Sequence, residues 1–253
     1  MKLKELPVGN QVVFGSYAMD GSHTSKELIW TKVTEDGKCV LKPDQLSGKF
    51  DYPERGDVNR DRKAHGYNYF PMANVFQFIN SPETQWFHPM HEGDRAGYDA
   101  NRWGFLASFT SDEIRQLLPH EIEIGVPEGS RKQHGRKNKL KCLVSLPSAS
   151  QYQETVDDYL QCEGEVIPLL QRDGVFRGWT RSGVLDSCHA YVAKYGWLDA
   201  YHCDNSFTIC PMVVINPESE LTLDPETGRY YVNIQSQEEA RIMTDDFLNM
   251  ILK

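Results

Sequence analysis

The sequence has no long apolar run, and its purely aliphatic stretches are only a few residues long, as at Val213–Ile215. A helix that crosses a membrane needs about 20 consecutive apolar residues, so no membrane span is expected. The first ten residues, MKLKELPVGN, carry no apolar segment of the kind found in a secretory signal peptide. These absences predict a soluble, cytoplasmic protein.

Positive charge is also scarce. The 27 Lys and Arg residues are outnumbered by 36 Asp and Glu residues, which gives a net charge of −9. Such a chain repels phosphate backbones and anionic lipid, so we expect no nucleic-acid partner and no membrane partner. The basic stretch 131–141 contains no aromatic side chain on which a base could stack, and this favours a solvated loop.

Common catalytic signatures are missing as well: there is no Gly-rich phosphate loop, no G-x-S-x-G and no H-E-x-x-H. Six cysteines without a secretory signal are expected to be reduced, and small buried thiols are the favoured interpretation. A nucleophile or a cysteine-based oxidase built on Cys203 and Cys210 is the alternative. We predict a non-catalytic protein without a cofactor.

One loop has the composition of a metal site. His88, His91, Glu92 and Asp94 are all possible ligands of a divalent ion. Pro89 lies between the two histidines, so they cannot share one helix face, and no third imidazole lies nearby. We therefore predict a polar loop and no bound metal.

What the sequence does contain is a succession of short strand-like runs separated by turn residues. Gln11–Ser16 and Leu28–Val33 alternate and carry β-branched or aromatic side chains. Lys38–Leu41 follows a turn at Glu35–Gly37, which predicts a hairpin over residues 28–41. The pattern as a whole predicts an α+β fold that is mostly β.

Helices are expected to be few. Met72–Ile79 has the apolar spacing of a helix and stops before a Ser-Pro pair. Thr110 and Glu113 have the spacing of a capping box, which predicts a second short helix that runs to Leu118. Ser148–Cys162 predicts a third helix.

The last 37 residues predict a hairpin followed by a helix. The hairpin is expected within Glu218–Tyr231, and Glu238–Leu252 predicts an amphipathic helix whose apolar face is formed by Met243, Phe247 and Ile251. An apolar stripe left in water would favour aggregation, so the same domain or a second copy should cover it. Homo-oligomerisation through this helix is therefore one expectation.

One segment is dense in aromatic and polar side chains. Trp197, Asp199 and Tyr201 alternate with Leu198 and Ala200, which on a strand places the large polar-tipped groups on one face. Tyr and Trp offer large, rigid contact areas, as binding loops do, whereas filling of an aromatic core is the alternative. The candidate ligand-binding residues are Tyr195, Trp197, Asp199, Tyr201, His202, Asp204 and Asn205.

Seven motifs occur in one order within residues 8–216. They are Phe14–Tyr17, Ile29-Trp30, Asn74–Ser81, Gly104–Phe109, Leu143–Ser148, Gly178–Ser182 and Ile209–Ile215. This order resembles an uncharacterised domain family that is common in gut Firmicutes and their phages. Phe78 stands where that family has tryptophan, and Ile209-Cys210 replace its Val-Arg before Pro211.

The resemblance implies a C-type-lectin-like fold, akin to the variable proteins that diversity-generating retroelements mutate and to sulfatase-modifying factors. It implies that Trp179–Ser182 lies in the core and that the loops and strands before the final strand form the ligand face. Residues 1–216 are then the C-type-lectin-like domain, and residues 217–253 are an extension. For a phage protein, the virion is a second possible location.

These observations lead to one main hypothesis, a non-catalytic recognition module for a protein or glycan ligand. One alternative is an enzyme related to the sulfatase-modifying (formylglycine-generating) oxidases. The other is a phage structural or host-takeover protein without a small ligand.

Overall fold

The computed structural model describes residues 1–18, 25–52, 67–89, 95, 102–125, 137–153, 164–184 and 188–234. Within these ranges strands dominate and helices are short, so the fold is α+β and mostly β, as the sequence predicts. The strands are β1 (Gln11–Tyr17), β2 (Lys26–Lys32), β3 (Lys38–Leu41), β4 (Ser47–Lys49), β5 (Leu117–Leu118), β6 (His120–Gly125), β7 (Lys137–Cys142), β8 (Val144–Ser145), β9 (Gly178–Gly183), β10 (His189–Lys194), β11 (Trp197–His202), β12 (Ser206–Thr208), β13 (Met212–Ile215), β14 (Leu221–Leu223) and β15 (Tyr230–Val232).

The helices are α1 (Asn74–Asn80), α2 (Ser111–Arg115) and α3 (Ala149–Tyr152), and short 3-10 helices lie at Leu3–Glu5, Phe70–Met72, Phe105–Ser108 and Pro168–Gln171. No helix in the described ranges has the length and apolar content that crossing a membrane requires.

The largest sheet brings the first and last described strands together. Its order is β14-β15-β1-β2-β3-β13-β5, and β8 also pairs with β13. β15 runs parallel to β1, with Val12 opposite Tyr230, and the other pairs are antiparallel. The hairpin predicted within residues 218–231 is therefore confirmed as β14 and β15, and it extends this main sheet.

A three-stranded sheet in the order β11-β10-β9 carries most of the candidate ligand-binding residues. β10 and β11 are antiparallel from the pair His189 and His202 to the pair Lys194 and Trp197. Within the described residues β11 pairs only with β10, so it is an edge strand. Two smaller strand pairs, β4 with β12 and β6 with β7, complete the β structure of these ranges.

Aromatic rings fill the main core. Trp30 and Trp179 are fully buried, and each indole N–H donates to a backbone carbonyl, that of Phe14 at 2.7 Å and that of Gly48 at 3.1 Å respectively. A buried indole N–H without a partner would be costly, so these two bonds fix the orientation of both rings. Phe14, Phe105 and Leu143 belong to the same cluster.

A smaller apolar cluster connects the three-stranded sheet to the main sheet. It contains Val40 and Met212 of the main sheet, Ala193 of β10 and Tyr152 of α3, and Leu198 packs against it. Because Ala193 and Leu198 are paired next to the turn, this cluster holds the turn end of the β10–β11 hairpin against the rest of the protein.

Lys32 is buried although it carries a charge. Its ammonium group donates to the backbone carbonyls of Leu3 at 3.1 Å and Leu6 at 2.7 Å, and it lies 3.5 Å from a carboxylate oxygen of Glu35. A buried ammonium is stable only when such partners replace water. The side chain therefore fastens the first residues of the chain to β2.

The predicted hairpin over residues 28–41 and the predicted capping box are confirmed. β2 and β3 are antiparallel, with Trp30 opposite Leu41. Thr110 Oγ1 accepts from the backbone N–H of Glu113 at 3.2 Å, and the Glu113 carboxylate accepts from the backbone N–H of Thr110 at 2.7 Å. Local sequence signals were sufficient for both features.

Two of the predicted helices end earlier in the structure than the sequence predicts. α2 ends at Arg115 rather than Leu118, because Leu117 and Leu118 pair with β13 as β5. α3 ends at Tyr152, and Gln153 is extended. Residues 154–163, the predicted helix at 238–252 with Met243, Phe247 and Ile251, and His91, Glu92 and Asp94 lie outside the described residues.

Candidate functional site

The β10–β11 hairpin turns at Tyr195 and Gly196, whose φ values are 43° and 92°. Two consecutive positive φ values are typical of the type I′ turn, which matches the twist of the flanking strands. This conformation is ordinary for glycine but unfavourable for tyrosine, because the Cβ atom crowds the backbone. The Gly196 N–H donates to the hydroxyl of buried Tyr152 at 2.9 Å and so anchors the turn.

Arg177 connects this turn to the loop between β3 and β4. Its guanidinium donates to both carboxylate oxygens of Asp44 and lies 3.5 Å from the Tyr195 hydroxyl. Asp44 has a φ of 70°, and it and Tyr195 are the only non-glycine residues with positive φ among those described. Aspartate commonly adopts this conformation, so Tyr195 is the unfavourable one of the two, and both residues contact the same guanidinium.

A cleft of about 390 Å³ opens beside Arg177, and it is called the basic cleft below. Its apolar wall includes Tyr152 and Phe176, which are buried and pack edge to face with ring centroids 5.8 Å apart. Tyr195 and Gly196 also line the cleft. One side of the hairpin turn therefore borders a partly apolar cavity.

Five charged residues also line the basic cleft: Lys42, Asp44, Arg172, Asp173 and Arg177. Arg177 and Asp44 neutralise each other, and the hydrogen bonds that Arg177 donates to Asp44 raise the pKa of Arg177. Both partners are partly exposed, so the pair contributes little to stability. Its effect is to hold the guanidinium in a fixed position at the cleft.

The hairpin also carries the most exposed rings of the described residues. Tyr195 is 80% exposed and Trp197 is 66% exposed, compared with 48% for Trp103. The predicted outward orientation is therefore correct for Trp197. Asp199 is exposed on the same face of β11.

Tyr201 corrects the prediction that the whole alternating set faces solvent. Its ring centroid is 4.6 Å from that of Phe207, and it packs against the main core. The Lys194 ammonium donates to its hydroxyl at 2.6 Å and also lies over its ring. The strand pairing explains the difference, because Tyr201 lies opposite buried Ala190, whereas Trp197 lies opposite Lys194 at the end of β10.

The remaining candidate residues lie at the other end of β11. His202 ends the strand, its Nδ1 is 2.6 Å from an Asp204 carboxylate oxygen, and Asn205 follows in the same turn. Five residue steps along a strand separate Trp197 from His202 by about 17 Å. The seven predicted residues are therefore spread along the whole length of β11 and are not gathered at one end of it.

A second cavity, of about 370 Å³, is lined by His120 and Arg181 among other residues. His120 Nε2 lies 3.0 Å from Ser145 Oγ, and burial lowers the pKa of His120 to about 4. Arg181 is buried and donates to the Leu146 carbonyl at 2.7 Å. Ser145 has no exposed surface, so its hydroxyl does not face the solvent in this structure.

The thiols of the oxidase alternative are buried. Cys203 and Cys210 have no exposed surface and no disulfide partner. The Cys210 thiol donates to the Arg177 carbonyl at 3.1 Å, and burial raises its pKa to about 12. A thiol in this state is a poor nucleophile at neutral pH.

The metal-like loop is described only in part. His88 Nε2 lies 2.8 Å from a Glu83 carboxylate oxygen. Among the residues whose placement is given, no three His, Cys, Asp or Glu side chains come close enough together to hold a metal ion.

Sequence reasoning missed Lys42, Asp44, Arg172 and Arg177. They lie in loops or next to turns, where charged residues are common, and no motif distinguishes them. Only the Pro43-Asp44 and Asp173-Gly174 pairs signal turns. The folded chain brings together four residues that are up to 135 positions apart (177 − 42 = 135).

Comparison of the chain with protein-family models, with curated proteins and with solved structures found no match.

Proposed function

We propose that this protein is a non-catalytic recognition module that contacts a protein or glycan ligand through the tip of the β10–β11 hairpin. One observation carries the proposal: Tyr195 and Trp197, two positions apart, are the most exposed large apolar side chains of the described residues. Exposed apolar rings grouped at one place are typical of interaction sites. Their rigidity keeps the entropic cost of binding low.

The shape of the turn supports a binding role. Tyrosine is an unfavourable residue at a positive φ, where asparagine or glycine would be more stable. A residue that weakens the turn while placing its ring in water is better explained by binding than by packing. Asp199, which is exposed on the same face of β11, adds a polar group near Trp197, as the rim of an interface requires.

A C-type-lectin-like fold is part of the proposal. Trp179 through Ser182 are buried within β9, which is what the resemblance implies for this motif. The β10–β11 hairpin precedes β13, the last strand of the resemblance, and so occupies the stretch that would supply a ligand face. The buried, weakly acidic Cys210 thiol argues against the oxidase alternative.

The test is a comparison of two tryptophan variants on arrays of glycans and of displayed proteins. Trp197→Ala removes the exposed ring of the hairpin, and Trp103→Ala removes another half-exposed tryptophan outside it. Truncation of an aromatic anchor typically costs about 2 kcal/mol or more, which is roughly 30-fold in affinity. We therefore expect Trp197→Ala to lose the array signal and Trp103→Ala to keep it.

The proposal fails if the wild-type protein binds neither array, or if both variants bind as the wild type does. Thermal unfolding of both variants, measured in parallel, separates loss of the ligand surface from loss of the fold. The array that gives the signal also decides between a glycan and a protein ligand.

A further inference from the structure

We propose that the basic cleft binds a small carboxylate attached to a ring, with the carboxylate between Lys42 and Arg172 and the ring against the aromatic wall. This deepens the proposed function, on which it rests because Tyr195 belongs to both the hairpin tip and the cleft. Apart from Tyr195, the hairpin-tip site and the cleft site depend on different side chains, since Trp197 does not line the cleft.

The first argument is unused positive charge. Lys42 and Arg172 line the cleft, and neither side chain makes a hydrogen bond or ion pair within the part of the chain that the structure describes. Arg177 nearby is already occupied by Asp44. Two unpaired cations at one cleft of a protein with a net charge of −9 form a local attraction for anions.

The second argument limits the charge of the ligand. The cleft has three cationic residues, Lys42, Arg172 and Arg177, and two carboxylates, Asp44 and Asp173, so its side chains sum to 3 − 2 = +1. A ligand with one negative charge neutralises this sum. A phosphate monoester with nearly two charges would leave an excess of negative charge beside Asp173, which has no ion-pair partner among the described residues.

The third argument concerns the ring. Tyr152 and Phe176 present an apolar wall that is already packed, and Tyr195 stands exposed at the rim. A cleft of about 390 Å³ falls within the range typical of small-molecule sites and can hold one substituted six-membered ring. An aromatic acid presents a flat ring face next to its carboxylate, and an acidic sugar in its chair form presents a face of C–H groups next to its carboxylate. Asp173 can accept hydrogen bonds from hydroxyl groups, which only the sugar has.

The cleft is also preorganised. Arg177 is held by Asp44 and lies within reach of the Tyr195 hydroxyl, and the Gly196 N–H is bound by Tyr152. A ligand would therefore meet walls whose positions are set before it binds, which lowers the entropic cost of binding.

The experiment is a titration of the full chain, followed by NMR or calorimetry, with four probes of matched size: benzoate, D-glucuronate, and their uncharged counterparts benzamide and D-glucose. We expect a carboxylate to bind and its uncharged counterpart not to bind. Whichever of benzoate and glucuronate binds more tightly shows whether the ligand is an aromatic acid or an acidic sugar. Inorganic phosphate and AMP are titrated as well, and tighter binding of either would contradict the charge argument.

Variants locate the site. Lys42→Gln and Arg172→Gln should each weaken carboxylate binding about tenfold, since a hydrogen bond to a charged group contributes about 1.5 kcal/mol or more. Lys26→Gln, at an exposed position of β2, makes the same change in net charge and should have no effect. The inference is overturned if neither carboxylate binds, or if Lys42→Gln and Arg172→Gln bind as the wild type does.

Trp197→Ala separates this inference from the proposed function. It should leave carboxylate binding unchanged while abolishing the array signal, because Trp197 lies outside the cleft. Loss of both signals would mean that the hairpin tip and the cleft form a single site, which contradicts the inference.

Discussion

Trp197 and Tyr201 lie on the same face of β11, yet only Tyr201 packs against the body of the protein. The Tyr201 ring lies 4.6 Å from that of Phe207, centroid to centroid, and its hydroxyl accepts a hydrogen bond from Lys194. Trp197 is four residues closer to the hairpin turn and remains mostly in solvent. Position along the strand therefore decides which ring is structural and which is available for binding.

This relationship predicts opposite results for two single substitutions. Tyr201→Ala should lower the free energy of unfolding by about 2 kcal/mol, somewhat less than for a fully buried ring. Trp197→Ala should change it by no more than about 0.5 kcal/mol, as is usual for exposed sites. Denaturant unfolding of both variants measures the two effects. Equal and large losses of stability would show that Trp197 is also a packing residue.

Lys32 gives a second prediction. Lys32→Met keeps much of the apolar stem but removes the ammonium that binds the carbonyls of Leu3 and Leu6, so both acceptors lose a buried donor. We expect a loss of about 2–4 kcal/mol of unfolding free energy. Lys26→Met, on the exposed end of the same strand, is the matched control and should be nearly neutral. Similar unfolding midpoints for the two variants would rule out this role for Lys32.

Local signals in the sequence predicted the features that depend on neighbouring residues. The capping box of Thr110 and Glu113, the hairpin over residues 28–41 and the hairpin around residues 224–228 all arise from side chains or turns within a few positions of one another. The mostly β character followed from the same short, alternating runs.

Features that depend on distant contacts could not be predicted in this way. Leu117 and Leu118 have an apolar pattern that suits a helix, but their backbone pairs with β13, which is almost a hundred residues later. Alternation correctly placed Trp197 and Tyr201 on one face, although it gave no information about Phe207, which covers only one of them. The basic cleft joins residues 42–44, 152, 171–174, 176–177 and 195–196, and no local pattern could reveal that arrangement.

His120 predicts a pH dependence of stability. Its pKa is about 4 in the folded protein against 6.5 for an ordinary histidine, because burial disfavours the charged ring. Between these values the unfolded chain binds more protons, so stability is complete above pH 6.5 and decreases as the pH falls toward 4. In total the titration of His120 should lower the free energy of unfolding by about 3 kcal/mol, and about 2 kcal/mol of this loss should have occurred by pH 5.

The control for this effect is His120→Gln, which cannot titrate and retains an amide that can reach Ser145. Its unfolding free energy should be nearly independent of pH between 6.5 and 5. The pKa of Glu218 is lowered to about 2 by hydrogen bonds from Lys2 and Lys4, so its titration affects stability only at lower pH. Parallel pH profiles for the wild type and His120→Gln would exclude His120 as the source.

The strained turn gives the last prediction, in which stability and binding change in opposite directions. Tyr195→Asn places a residue that tolerates positive φ at this position and should raise the free energy of unfolding by about 1 kcal/mol. The same change removes the most exposed ring of the described residues, so the array signal of the recognition surface should decrease. Tyr195→Phe keeps the ring and the strain and loses only the contact of the hydroxyl with Arg177, so it should bind nearly as the wild type does. If Tyr195→Asn were less stable than the wild type, the contacts of the tyrosine would outweigh its strain, and the turn would no longer support a binding role for this residue.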